Sequence, residues 1–338
     1  MAYETGTALD FEDLLSKLDT FATGLTTDPW VSGYTPNPDT TNRWFELHKT
    51  GHSFSMRYPA SMAAGETASV HHASAYINSS TEPGAHTSDS GNGYNVGTGG
   101  TSANLETERC VSEIGNGPFS QYHFFADDTT FDYVHVVVEI TAGVFRHFGF
   151  GHLDKFGDNW VGGQYVYGHY HDQATNRTAV STQHTTMLDG LYSATNGIRG
   201  ATVRLTSGLP NQSTSVWGVC VATSSLGTDT AALARQKIHG GFRAGMEARG
   251  FGSPVGNFSS GVIPMYSFAA YYKDPSNSRV YLLGYQPDVR AVSCFNFSPG
   301  DEITIGVDTW IIFPMALRTE ANVANRTYYA GLAYRKFT

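Results

Sequence analysis

Charge is scarce in this chain. Only 15% of its 338 residues are Asp, Glu, Lys or Arg, against about a quarter in ordinary soluble domains. Of the 21 basic residues six are lysines, and the net charge is -9. No basic run occurs, so the chain is expected to contact no nucleic acid. Cysteine is nearly absent as well. Cys110, Cys220 and Cys294 lie far apart with no CxxC pair, which argues against a disulfide framework or a zinc knuckle. Cys220 and Cys294 fall in apolar strand-like runs and are expected to be buried free thiols. No apolar run is long enough to cross a bilayer, so no membrane insertion is expected. The start, Met1 to Leu15, carries early acids and no apolar segment, which does not fit a signal peptide. Synthesis in a cytoplasm is therefore the expectation. Catalytic signatures are missing too: there is no GxSxG, no HExxH and no Walker loop.

What is plentiful is glycine and aromatic side chains: 37 Gly, 19 Tyr and 20 Phe. They are organised around Phe131–Asp172. Tyr133 to Ile140 is a β-branched and aromatic run, Thr141-Ala142-Gly143 breaks it, and Val144 to Leu153 returns. Gly163 to Tyr170 makes a third strand. Nearly half of the thirteen histidines lie in or beside this unit.

Elsewhere the pattern predicts one helix over Asp10 to Thr23, with Asp10 as cap, Asp13 in its first turn, and an apolar stripe of Leu14, Leu15, Leu18 and Phe21. Strands are predicted at 43–48 and 53–58, paired as a hairpin, and at 68–77, 121–125, 201–206 and 216–222. Further strands are predicted at 263–272, 279–285, 289–297, 302–307, 309–316 and 328–336. A second, short helix is expected at 229–239. Residues 78–104 have almost no large apolar side chains and read as an exposed loop. The spacing of strands and Gly/Pro/Asn/Asp turns predicts a mainly β fold. The expected form is an antiparallel β-sandwich or jelly-roll-like core with an N-terminal helix and long loops. Residues 1–42 would be a helix and turn-rich arm. Residues 43–171 with 263–338 would form the core, and 172–262 an irregular excursion or small insertion.

Two side-chain patterns invite chemistry. His169 and His171 share a strand face, and the preceding Gly163 resembles the opening of a cupin metal motif. Thr175 and Asn176 stand where that motif needs Glu. His152 and Asp154 would also share a face, without a nucleophile beside them, while His147 and His152 would point to opposite faces. The paired acids Asp127-Asp128 and Asp301-Glu302 fall at turns, where solvation is expected. The histidines therefore read as packing and interface residues, with no catalytic residue and no cofactor expected.

Three segments carry a family resemblance. They are Met1 to Ala8 with the helix after it, Tyr122–Phe125 with Asp132–Glu139 and Val144–Gly151, and Ala330–Lys336. Together they resemble a family of virion structural proteins of tailed bacteriophages, usually associated with the tail or neck. Residues 172–262 lie outside the resemblance. It implies a non-enzymatic part of the tail, baseplate or neck, assembled in the host cytoplasm and carried in the virion. Its partners would be copies of itself, other virion proteins and a host-surface receptor. The stripe Leu14, Leu15, Leu18 and Phe21 needs a partner, the main β domain ahead of a neighbouring subunit, and in the virion reading it would anchor or brace that assembly. Two rival readings remain. A receptor- or glycan-binding module on the virion would stack sugars on Trp30, Trp160 or Trp310. A cupin-like metal enzyme would use His169 and His171.

Overall fold

A computed structural model describes residues 2–32, 42–49, 52–59, 67–73, 109–157, 160–168, 170–171, 184–185, 201–207, 216–220, 237–238, 265–273, 280–294, 297–314 and 330–337. The chain opens with strand β1 (Ala2–Ala8) and helix α1 (Phe11–Thr23). A five-stranded sheet follows, ordered β2 (Val31–Ser32), β3 (Asn42–Lys49), β4 (His52–Pro59), β5 (Thr67–Ala73) and β6 (Arg109–Gly115). The chain then enters the main sheet with β7 (Phe119–Asp127), β8 (Tyr133–Thr141) and β9 (Val144–His152). After β10 (Asp154–Lys155) comes β11 (Val161–Tyr167), and then a small ladder of β12 (Tyr170–His171) with β13 (His184–Thr185). β14 (Ala201–Ser207), β15 (Val216–Cys220) and β16 (Lys237–Ile238) complete the main sheet, in the order β1-β7-β8-β9-β11-β14-β15-β16. The C-terminal sheet holds β17 (Tyr266–Lys273), β18 (Val280–Ser293), β19 (Asp301–Ile305), β20 (Asp308–Pro314) and β21 (Ala330–Lys336). Its order is β10-β18-β21-β20-β19, with β17 also on β18. Pairing is antiparallel except between β15 and β16.

The main sheet is covered on both faces, and strand periodicity sorts its side chains between them. On β8, Val134, Val136 and Val138 join Phe124, Phe148 and Phe150 against α1 and the five-stranded sheet, whose Phe45, Leu47, Phe54 and Met56 close that layer. The alternate residues Tyr133 and Val137 join Phe125, Phe145, Tyr165 and Tyr167 against the C-terminal sheet, represented by Val289, Ile311, Phe313, Leu332 and Tyr334. This two-sided burial explains why Tyr133–Ile140 reads as an unbroken apolar run rather than an alternation.

The expected helix forms where its signals lie. The Asp10 carboxylate accepts the Asp13 N–H at 2.8 Å, and the Asp13 carboxylate accepts the Leu9 N–H at 2.8 Å. The C-terminal cap is Gly24, whose N–H donates to the Thr20 carbonyl. Its stripe of Leu14, Leu15, Leu18 and Phe21 is buried inside the chain. Of its two expected partners the stripe takes the chain's own β domain, leaving no face for a neighbouring subunit. The β3–β4 hairpin also forms, in continuous register from Asn42↔Pro59 to Lys49↔His52.

Other expectations change. β1 carries no strong hydrophobic pattern and forms because its backbone pairs with β7, from Ala2↔Ala126 to Ala8↔Phe119. The expected strands at 279–285 and 289–297 are one strand, β18, interrupted by a bulge. Of the helix expected at 229–239, the described residues Lys237 and Ile238 are strand, paired with Val219 and Cys220; the others lie outside the described residues, as does 78–104. Within 172–262, β14 and β15 extend the main sheet from β11. The carboxylates of Asp127 and Asp128 are buried, not solvated. Asp127 accepts the N–H groups of Thr129 at 2.8 Å and Phe131 at 3.2 Å, and Asp128 accepts that of Thr27 at 2.7 Å. Tight turns need such acceptors when their N–H groups turn away from water.

Candidate functional site: the histidine–tyrosine seam

The seam between the main and C-terminal sheets is where polar side chains converge. Register places them. One row across the main sheet runs Tyr3, Phe125, His135, Gly149, Tyr167, and the next runs Thr5, His123, Val137, His147. Because these residues sit at one parity of the pleat, the three histidines face the same way, toward β18, β20 and β21.

Gly149 makes the first row work. It stands between His135 and Tyr167, and a Cβ there would lie 2.7 Å from Tyr167 Cε1 and 2.8 Å from His135 Nδ1. Its bare backbone lets the Tyr167 hydroxyl reach His135 Nδ1 at 2.9 Å. The opposite ring nitrogen, Nε2, donates to the Pro287 carbonyl at 3.0 Å. A carbonyl only accepts, so Nε2 carries the proton and Nδ1 is the acceptor.

Pro287 is presented by the bulge in β18. Ser267 pairs with Arg290 but Ala269 pairs with Tyr285, so Gln286, Pro287, Asp288 and Val289 are set against the single residue Phe268. Asp288 takes φ 51, a left-handed conformation unusual for a residue with a side chain. The bulge turns its carboxylate into the seam, where it accepts the Tyr133 hydroxyl at 2.8 Å and an Arg335 N–H at 3.3 Å. Arg335 also pairs with Asp308. Burial first, then the Asp288 carboxylate, pushes the Tyr133 phenol well above its ordinary acidity range.

The second row repeats the device. His147 Nε2 donates to the Pro314 carbonyl at 3.1 Å, and Nδ1 accepts the Tyr334 hydroxyl at 3.0 Å. Tyr334 is the centre of the seam. Its ring stacks on Phe125 at 5.1 Å and on His147 at 5.9 Å, and lies 5.6 Å from the His135 ring. The Tyr334 phenol holds the acidity range of Tyr167 down against burial, and Tyr167 adds to burial in pushing that of Tyr334 up. His123 accepts or donates at Nδ1 to the Tyr3 hydroxyl, 2.9 Å away.

Burial holds these imidazoles neutral. It pushes His135 down to about 3, with the Pro287 carbonyl opposing. It pushes His147 down to about 4, against the Pro314 carbonyl and with help from Arg146. His123 also falls to about 4, chiefly by burial. Burial raises the hydroxyls of Tyr165, Tyr167 and Tyr334. The seam at neutral pH is thus an array of neutral donors and acceptors bonded to one another, not a set of poised acids and bases.

The residues singled out from the sequence are placed as follows. Trp30, Trp160 and Trp310 are only 1%, 5% and 7% exposed. Each has one ring face under a cation, Lys49, Lys155 and Arg290 respectively. None offers a platform for a sugar, which corrects that expectation. His169 lies outside the described residues, and of His171 only the backbone is described, paired in register with His184. Among the described residues no group of three His, Cys, Asp or Glu could hold a metal ion. His147 meets the C-terminal sheet; His152 is held below its ordinary value by burial, with Asp132 opposing and Lys155 and Lys49 assisting. Cys294 is a buried free thiol, raised by burial to about 12. Among the described residues no helix is long and apolar enough to cross a membrane.

Sequence reasoning missed His135 with Tyr167 and Pro287 as partners, and Tyr133 with Asp288. The only signal available was Gly149, flanked by aromatics in a strand interior, where glycine marks a close approach. Comparison of the chain with protein-family models and with curated proteins finds no match.

Proposed function

We propose that the chain is a structural component of a tailed-phage virion, in the tail, baseplate or neck, working through protein–protein assembly contacts. One observation carries this reading. The three segments that resemble that family are far apart in the chain but neighbours in the fold. β1 pairs with β7, β7 with β8 and β8 with β9, and β21 lies across the seam with Tyr334 stacked on Phe125. Helix α1 packs beneath, Phe21 against Phe124 at 5.5 Å. The resemblance therefore covers one contiguous packing unit rather than scattered matches.

Assembly contacts belong on the surface, where the exposed apolar side chains are. The β19–β20 turn holds Val307 at 96% exposure beside Ile305, and Leu9 is 80% exposed ahead of α1. β19 ends the C-terminal sheet, with one backbone edge unpaired among the described residues. Large apolar groups at such an edge suit an interface core.

Mass spectrometry of purified particles of the encoding phage tests the reading. The chain should be present in a fixed, multiple copy number; its absence, or a trace amount, overturns the proposal. Val307→Asp should leave stability within about 0.5 kcal/mol but lower incorporation into particles. Unchanged incorporation would remove the turn from the interface.

A further inference from the structure

β19 ends the C-terminal sheet with an open backbone edge among the described residues. It pairs with β20 in unbroken register from Asp301↔Ile312 to Ile305↔Asp308, across the two-residue turn Gly306-Val307. That turn sets the phase of the ladder. Ile305 and Asp308 close it, so Ile305, Ile303 and Asp301 direct their backbone N–H and C=O groups toward β20. The backbone N–H and C=O groups of Glu302 and Thr304 therefore point outward, and both residues are exposed. Between Asp301 and Ile305 there is no proline, no lysine and no bulge, the devices that keep a strand edge from pairing. β1, at the end of the main sheet, differs: its register shifts between Gly6 and Ala8.

We propose that β19 pairs antiparallel with β19 of a second copy, about a two-fold axis at Ile303, joining two C-terminal sheets into one. This rests on the reading that assembly contacts run through the β19–β20 edge, and it names the partner at that edge. Hydrogen bonds between the copies can join only Glu302 and Thr304 of one to Glu302 and Thr304 of the other. Centred on Ile303, each Glu302 bonds the Thr304 opposite and all five strand residues overlap. Ile303 then meets its own counterpart as a non-hydrogen-bonded pair, where side chains approach most closely. Ile305 lies diagonal to that pair, so four isoleucines gather on one face. Centred on Glu302, the pairing would set two carboxylates against each other. Centred on Thr304, it would pair Glu302 with Gly306, whose φ of 65 departs from strand geometry. Charge agrees with the Ile303 axis. The Glu302 carboxylate is met by Lys336 of its own chain at 2.8 Å, and Asp301 falls opposite Ile305, so no two acids are opposed.

Sedimentation of the purified full chain tests this. The wild type should form dimers as its concentration rises. Thr304→Pro removes an outward N–H that β20 does not use. It should keep the fold and weaken dimerisation about tenfold or more. In a Cys294→Ala background, Ile303→Cys should give a disulfide-linked dimer on mild oxidation, because the two thiols meet at the axis. Glu302→Cys and Thr304→Cys, each facing a different residue, should not link. A wild type that stays monomeric, a dimer indifferent to Thr304→Pro, or no linkage through Ile303→Cys overturns the proposal. If Thr304→Pro does not fold, the linkage pattern decides alone. A monomer in solution would leave the virion reading to the particle measurement, and absence from particles would leave the dimer standing.

Discussion

The two faces of the main sheet are made by the same strands and solve burial differently. Toward α1 and the five-stranded sheet, alternate residues are valine, leucine and phenylalanine, and Phe150 stacks on Phe54 with ring centroids 3.8 Å apart and 7° between planes. Toward the C-terminal sheet, the intervening positions bring histidines and tyrosines, whose polar atoms are joined to two proline carbonyls and an aspartate. The first face gains from removing apolar area from water, which depends little on pH. The second gains also from the Tyr167 and Tyr334 hydroxyls donated to Nδ1 of His135 and His147, which accepts only while the ring is neutral, so pH acts on one side of a single sheet.

Acidification should have the largest effect. A histidine with a depressed folded value is neutral in the fold, while the unfolded chain binds its proton near pH 6.5. The stability it contributes is present above about 6.5 and is lost as pH falls toward the folded values, about 4 for His123 and His147 and about 3 for His135. Each histidine that stays neutral adds a slope of about 1.4 kcal/mol per pH unit in that window. Urea midpoints at successive pH values measure it; a flat profile between about 6.5 and 4 would show the seam open to solvent.

Next in size is Phe150→Ala, which empties the centre of the apolar face between Phe54 and Trp30. A loss of about 3–5 kcal/mol is expected by urea denaturation, with the pH slope unchanged. A changed slope would mean the two faces are coupled through the sheet. Gly149→Ala places a methyl against Tyr167 and His135 and should cost about 1–3 kcal/mol. The loss should be accompanied by a histidine nitrogen shift reporting a broken Tyr167 bond. Smallest is Tyr165→Phe, which deletes a buried hydroxyl that has no hydrogen-bond partner among the described residues. It should change stability by less than about 1 kcal/mol, in the stabilising direction. A large loss would reveal a partner for that hydroxyl.

Much of this was legible beforehand where the signal was local. Asp10, Asp13 and the leucine stripe announced α1, because caps and helical periodicity depend on residues a few positions apart. The run from Tyr133 and its return after Gly143 announced β8 and β9. β1 was not legible, because an edge strand of small and polar residues is stabilised by the backbone of β7. The expected break at 286–288 in β18 came out as a bulge, since Pro287 interrupts pairing locally while both flanks remain in the sheet. The expected use of Trp30, Trp160 and Trp310 failed for a similar reason: residue type does not reveal whether a lysine or arginine will close the ring face.

By itself the sequence determined the secondary structure of the central unit, the capped helix and the β-rich class, because periodicity and turn chemistry act over a few residues. Only the tertiary structure decided the work of the histidines. A polar side chain is specified by what lies opposite it, and for His135 and His147 those partners, Pro287, Tyr334 and Pro314, come from strands more than a hundred residues along the chain.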